Sequence, residues 1–493
     1  MIAFQSDLRP AIPNVYGAAD YCEFRDHLNH IDRVLLSSGV EHAMVSAAMQ
    51  RWENGALEQG IRVTPADRQR QWSKLGYAFR CNVARHLMGE SYRDFSIRLA
   101  DSALLQWFTG INELTHRRAA SKSSLDRYDK FFELEEIEMA VEALNSQVFS
   151  EHSVAELIGQ QKPLSIEEVF ADCTCVKANI HFPTDWVLLR DAARTLIAAI
   201  KLIRDEGLKH RMPEPSSLMK RMNRLCIEMT HARRQKDSRK TRKRVLRAMK
   251  KLSRTIEQHG HRYRAMLAQN WEQTEWTQAQ SALVLGRLDN VLEKLPGAIR
   301  QAHERIIGER QMQNKDKMLS LYEEDVHVLV RGKSGAEVEF GNGLYLVEQQ
   351  DGLIVDWTLL KDQPPADTRL VRQSVERIEE AYGPIQAYSA DRGFDCKANR
   401  ELLEEQEVFN AICPKDPRML SERRDEPRFM GLQNRRAQTE GRIATFKNAY
   451  LGRPLRSKGF VNKANTTAWC VLTHNLWLIA RMALAEELEQ QAA

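Results

Sequence analysis

Three acidic residues stand in contexts suited to holding a hard divalent cation. Asp172 interrupts the apolar run Val169-Phe170-Ala171-Asp172-Cys173-Thr174-Cys175-Val176. A carboxylate inside such a run is rare unless it is paired or bound to a metal. Asp391 closes Ala387-Tyr388-Ser389-Ala390 and precedes Arg392-Gly393-Phe394, where the glycine permits a tight turn beside a ligand. Glu440 has Arg436 four residues before it and Lys447 seven after it on a helical segment. At about 100° per residue these three project from one helix face, an acid flanked by two cations. Mg2+ takes oxygen ligands, usually a few carboxylates completed by water and substrate phosphate. Two such ions about 3.5–4 Å apart activate a nucleophile and stabilise the leaving oxygen in phosphodiester chemistry. Asp172, Asp391 and Glu440 therefore fit Mg2+ binding, with Mn2+ able to replace it. Arg436, Lys447 and Arg392 fit contacts to phosphate.

Other residues compete for these roles. Asp395 reads as a helix cap, and Asp356, inside an apolar strand, is an alternative ligand. Asp185 and Asp191 read as caps or solvent-facing acids, and His181 as structural or phosphate-contacting. Arg392 reads equally as a phosphate contact or as half of a core salt bridge. Eight cysteines, at 22, 81, 173, 175, 226, 396, 413 and 470, include no paired CxxC at zinc-like spacing. They read as small, mostly buried residues in a reducing compartment. No GxxxxGK[ST], GxSxG or HExxH occurs, which disfavours an ATPase, an α/β hydrolase and a zinc protease.

The elements that must position these residues follow from patterning. Residues 1–150 read as helical, with Ser91 and Ser121 as helix caps, and two short capped helices there suit a helix-turn-helix. Residues 169–176 read as a strand, and 186–313 as almost wholly helical. Strand character returns at Val326–Val330, followed by a turn at Lys333-Ser334-Gly335, and again at Val338–Phe340, Gly343–Glu348 and Leu353–Trp357. Then come a helix over Thr368–Ala381, a strand ending at Asp391, a helix over Cys396–Gln406 and a strand over Val408–Cys413. A basic loop leads to a helix over about Asn434–Tyr450, and an apolar-faced helix begins at Thr466.

The chain has 493 residues, 43% hydrophobic and 28% charged, which reads as globular with more than one domain. No run reaches the roughly 18 apolar residues of a membrane span, and the first seven residues lack the basic-then-apolar order of a secretory signal. A cytoplasmic protein without a membrane role is the default expectation. Net charge is +5, but its distribution is uneven. Between His231 and Arg254 stand twelve Lys or Arg and a single acid, Asp237. Such a block, including Arg242, Lys243 and Arg244, attracts a polyanion.

Three short motifs in order resemble those of bacterial insertion-sequence DDE transposases. Asp172-Cys173-Thr174 with Asn179-Ile180-His181-Phe182-Pro183-Thr184-Asp185 resembles the first-Asp segment, and Ala390-Asp391-Arg392-Gly393-Phe394-Asp395 the second-Asp segment. Arg436, Glu440 and Lys447 are similar to a Tyr-x2-Arg-x3-Glu-x6-Lys signature, with Gln433 at the tyrosine position. The likeness spans roughly residues 85–480. It implies an RNase H-like core, a mixed sheet flanked by helices. Asp172 would lie on its first strand, Asp391 after its fourth and Glu440 on a following helix. The 219 residues between Asp172 and Asp391 imply a large helical insertion between the first and second strands. The expected layout is a helical DNA-binding domain at 1–150, core at 151–185, insertion at 186–313, core at 314–465 and a C-terminal helix at 466–493. The implied partner is double-stranded DNA, both element ends and target, bound by a homodimer near the nucleoid. The implied activity is Mg2+-dependent cutting and strand transfer. The alternatives are another RNase H-like nuclease without strand transfer, and a non-enzymatic DNA-binding derivative.

Overall fold

A computed structural model describes residues 10–112, 117–160, 162–232, 234, 236–333 and 336–492. The first seven residues and the turn residues Ser334 and Gly335 lie outside this set. The chain is a mixed α/β protein that divides into two compact units. One runs through Lys177 and resumes at Asn342; the other is Ala178–Gly341.

The first unit begins with eight helices: α1 (Ala19–Ser38), α2 (Val40–Glu58), α3 (Pro65–Met88), α4 (Tyr92–Asp101), α5 (Ala103–Thr109), α6 (Lys122–Tyr128), α7 (Leu134–Val148) and α8 (Val154–Ile158). Ser91 and Ser121 cap α4 and α6 by accepting from the amides of Asp94 and Ser124. Because α5 intervenes, α4 and α6 are not joined by the few-residue turn of a helix-turn-helix. Strand β1 (Glu168–Lys177) leads into the second unit. There α9 (Asp185–Asp205), α10 (Pro215–Ala232), α11 (Ser238–Asn270) and α12 (Gln278–Ile306) enclose their own apolar core. Asp185 and Asp191 are buried rather than solvent-facing, Asp185 on Gln301 and Arg305 and Asp191 on Arg190 and Arg194. A strand, β2 (His327–Lys333), closes this unit by pairing antiparallel with the start of β3 (Ala336–Gln349).

β3 is one continuous strand where the sequence suggests two, and its second half belongs to the first unit. It pairs antiparallel with β4 (Ile354–Leu359). Then follow α13 (Val371–Tyr382), β5 (Ala387–Ala390), α14 (Lys397–Glu405), β6 (Phe409–Ile412), α15 (Pro417–Arg423), α16 (Pro427–Phe446) and α17 (Phe460–Ala492). The six-stranded sheet has the order β2-β3-β1-β5-β6, with β4 on β3. The alternation of side chains across a strand sorts its faces. Val169, Ala171, Tyr388 and Ala390 pack against residues of α13 and α14. Phe170, Ala387 and Ala411 pack against Phe429 and Leu432 of α16. The free edge of β4 is covered by polar side chains: Asn475 of α17 pairs with both backbone groups of Ile354, and Asn145 of α7 bonds its carbonyl. This clamp brings the N-terminal helices into the same compact unit as the sheet.

Two helices differ from the sequence expectation in informative ways. α16 starts at Pro427, well before Asn434, because proline suits the first helical position and Phe429 and Leu432 supply an apolar face. α15 falls in the expected basic loop, where Asp416 accepts from the Arg418 amide and Pro417 opens the turn. Residues Phe460–Gln491 of α17 are long and apolar enough to cross a membrane, contrary to the sequence estimate, but their apolar window is 67% buried inside the protein. Behind α16, the backbone at Lys447–Leu451 makes a π-turn that rests on Gly89. There φ is +60° and a β-carbon would stand 2.4 Å from the Ala449 carbonyl oxygen. Gly89→Ala is expected to destabilise the first unit by about 2–5 kcal/mol through left-handed strain and overpacking, measured as a lowered urea midpoint.

Candidate active site

The parallel pairing of β1 with β5 places the first two carboxylates. Glu168, Val169 and Phe170 lie opposite Ala387, Tyr388 and Ser389. Two residues further on, Asp172 on β1 and Asp391 just past the end of β5 come close enough for the Asp391 charge to act on Asp172. Both acids also fall on the α16 side of the sheet, since Asp172 shares parity with Phe170 and Asp391 with Ala387. Along α16, Phe429, Leu432, Gln433, Arg436 and Glu440 recur at steps of three or four and form one stripe. Its first half packs on the sheet, and its last member, Glu440, is exposed beyond it. One strand interior, one strand end and one helix thus converge on a single region of the first unit.

The helix is held in that position by polar anchors. Gln433, standing where the resembling signature has tyrosine, donates to the carbonyls of Ala390 and Ala411 at the ends of β5 and β6. Its amide oxygen accepts from Arg436 Nε at 3.2 Å. Arg435 lies over the Phe170 ring and pairs with buried Glu348, which also accepts from Thr439 at 2.8 Å. Arg436 Nη1 stands 3.6 Å from Glu440 Oε1, beyond hydrogen-bond reach, and is buried with no hydrogen bond of its own.

The other sequence candidates separate clearly. Lys447 is not an outward phosphate contact: it is buried in the π-turn, and its Nζ donates to Thr174 Oγ1 at 2.8 Å. Thr174 shares a strand face with Asp172, so Lys447 is a floor beneath the acids. Arg392 is exposed, which removes the core salt bridge and leaves it open to a phosphate. Asp356 is not a ligand candidate, because Ser374 and Arg377 occupy its carboxylate on the opposite sheet face. Asp395 is not a helix cap; it accepts from Arg400 and from the Lys415 amide and fixes the loop after β6. His181 is exposed in the second unit. Arg242, Lys243 and Arg244 are there too, each engaged: Arg242 over Trp186, Lys243 with Glu309 at 2.6 Å and Arg244 with Glu228. All eight cysteines are free thiols.

A fourth acid at the site, Asp367, has no signal in the sequence. It lies in the turn before α13. A β-carbon on Gly393 would meet Asp367 Oδ2 at 2.8 Å and Asp391 Oδ1 at 2.9 Å. The glycine therefore fills a gap between two carboxylates, and Asp391 Oδ1 in turn accepts from the Gly393 amide at 2.7 Å. Cys173, next to Asp172, has its thiol pushed up by burial and by hydrogen bonding to Asp367.

Electrostatics mark Asp172 as the strained member. Burial and the neighbouring Asp391 charge push its carboxyl up from 3.8 to about 6. A bond from the Cys173 amide and the Arg436 charge oppose this, and Glu440 adds to it. The four side chains thus share one field. Among the described residues, no three His, Cys, Asp or Glu side chains are gathered into a ready-made metal cage. No protein-family model matches the chain, and comparison with curated proteins and with solved structures likewise returns no match.

The Asp172 shift has a definite sign. The folded form holds this proton more tightly than the unfolded chain, so stability is lost as pH rises from about 4 to about 6 and is level above that. The loss is roughly 3 kcal/mol. In EDTA at pH 7.5, Asp172→Asn is therefore expected to be more stable than wild type. Urea midpoints across pH should show the gap closing below pH 4. A gap independent of pH would mean that the site does not burden Asp172.

Proposed function

We propose that the chain is a DDE-type DNA transposase, with Asp172, Asp391 and Glu440 as its metal-binding carboxylates. The observation that carries this is the juxtaposition of Asp172 on β1 with Asp391 just after its parallel neighbour β5, with Glu440 carried by the helix covering that same face. Chain order supports it as well. With β2 in the second unit, the first unit's strands run β1, β3, β4, β5, β6. Asp172 is then on the first and Asp391 follows the fourth, as the resemblance implies. The second unit enters after the first strand, where a helical insertion is expected.

The donor set fits Mg2+. A carboxylate raised first by burial and then by the neighbouring Asp391 and Glu440 charges gains from a cation that relieves the repulsion. Mg2+ needs only one or two carboxylates when water and phosphate complete its shell, so a preassembled cage is not required. When bound, the ions would activate the attacking oxygen and stabilise the leaving one. Asp172 and Asp391 would hold them from the rigid sheet, and Glu440, exposed, would close on them from α16. Exposed Arg392 would bind a DNA phosphate beside the cut, and Arg436, now 3.6 Å from Glu440 with Nη1 buried, would have to turn outward to join it. Lys447 would act indirectly, by fixing Thr174 and the strand that carries Asp172. The first reaction would be hydrolysis that frees a 3′-OH. The second would be attack of that hydroxyl on target DNA, with two protomers pairing the ends.

The test is a cleavage and joining assay on a plasmid carrying the coding region with its natural flanking DNA. Mg2+-dependent cutting and joining is expected, abolished by EDTA and lowered more than about a hundredfold by Asp172→Ala or Glu440→Ala. Cutting without joining would make the protein a nuclease only. Binding without cutting would make it a non-enzymatic DNA-binding protein, and full cutting by Asp172→Ala would sink the site assignment.

A further inference from the structure

Within the second unit, α11 carries eleven Lys or Arg and one acid, Glu257. Its core-facing side is apolar, with Val245, Leu246, Met249, Leu252, Ile256 and Tyr263 buried. On the opposite side, Lys240, Arg247, Lys251 and Arg254 follow at steps of seven, four and three, so they align in a ridge. All four are exposed, and among the described residues none of them is ion-paired. The ridge is about 21 Å long at about 1.5 Å per residue. Arg244 lies on the same line, but Glu228 of α10 neutralises it. That contact also sets the register of the α10–α11 hairpin. Counting outward from it brings exposed Arg224 and Arg221 of α10 alongside Arg247 and Lys251. The result is a two-helix face with six cations that, among the described residues, are not ion-paired, whereas Arg239 and Lys243 share Glu309 and Arg242 lies over Trp186.

We infer that this face of the second unit, and not the Arg242–Arg244 cluster, grips the backbone of double-stranded DNA. The inference rests on the DNA-transposase reading for the identity of the polyanion. A straight ridge of cations matches a regular polyanion better than a compact ligand. Phosphates recur at about 3.4 Å of axis per strand, so the ridge would span about six of them. It carries no sequence preference, since backbone contacts position the duplex without reading bases.

The test is binding of the full chain to a 30-base-pair duplex of arbitrary sequence, by fluorescence anisotropy in EDTA across a salt series. Combined Lys240→Gln, Arg247→Gln, Lys251→Gln and Arg254→Gln is expected to lower the slope of log affinity against log salt by about 3.6. Affinity near 0.1 M salt should weaken at least tenfold. Should that variant not fold, Arg221→Gln with Arg224→Gln is expected to lower the slope by about 2. Lys240→Arg with Lys251→Arg should keep the wild-type slope. An unchanged slope in the neutralised variants overturns the inference, as does equal displacement of the duplex by anionic lipid vesicles. Binding in EDTA is read without cutting. A wild type that binds through this ridge but never cuts defeats only the transposase reading, and one that cuts with an unchanged slope in the variants defeats only the inference.

Discussion

Two carboxylates on adjacent parallel strands repel, and the first unit is arranged so that they cannot move apart. The register of β1 on β5 is fixed upstream of the acids, at Glu168–Phe170 with Ala387–Ser389. There Val169, Phe170, Ala387 and Tyr388 are fully buried, and a one-residue slip would turn each of them to the other face. Asp172 and Asp391 are carried along by that pairing. The cost appears as the raised Asp172 carboxyl, and it is met by burial elsewhere: Phe170 and Ala387 on one face, Val169 and Tyr388 on the other.

The covering helix obeys the same constraint. Glu440 adds a third acid to the site, and the helix that carries it is tied to the sheet at several points. Gln433 and Arg435 do this through carbonyls and Glu348 on the sheet side, and Lys447 closes the far end on Thr174. An amide at position 433 explains how this chain departs from the signature it resembles. Its Nε2 satisfies two strand-end carbonyls while its oxygen orients Arg436, so the position works as a helix-to-sheet brace.

The parts legible in the sequence were those set by local pattern. β1, β5 and β6, the helices after them and the mostly helical stretch beyond residue 185 follow from periodicity and caps; Asp172 and Asp391 stood out because one broke an apolar run and the other followed one, and Glu440 because of its spacing from Arg436 and Lys447. What was not legible depends on residues far apart in the chain. Lys447 shares the face of Glu440 on an ideal helix, yet a π-turn shaped by Gly89, more than 350 residues earlier, turns it inward to Thr174. Asp367 has no motif and joins the site only because Gly393 leaves room. Asp356 resembles a ligand until Arg377 is placed against it. Arg242, Lys243 and Arg244 look like the densest free charge, but Trp186, Glu309 and Glu228, on other helices or loops, had already taken them.

Charge segregation between the two units follows from the same physics. A cation beside the acidic trio would pair with it, as Arg436 begins to do with Glu440 at 3.6 Å. It would then be lost to a polyanion, and the acids would be lost to a metal. Placing the row of cations and the carboxylates around different cores keeps the two sets from pairing. The helices α9–α12 have their own apolar interior, so the outer faces of α10 and α11 can carry a row of cations without destabilising the sheet. β3 runs unbroken from one unit into the other, which lets a large insertion enter after β1 while the strand that re-enters the sheet keeps its place.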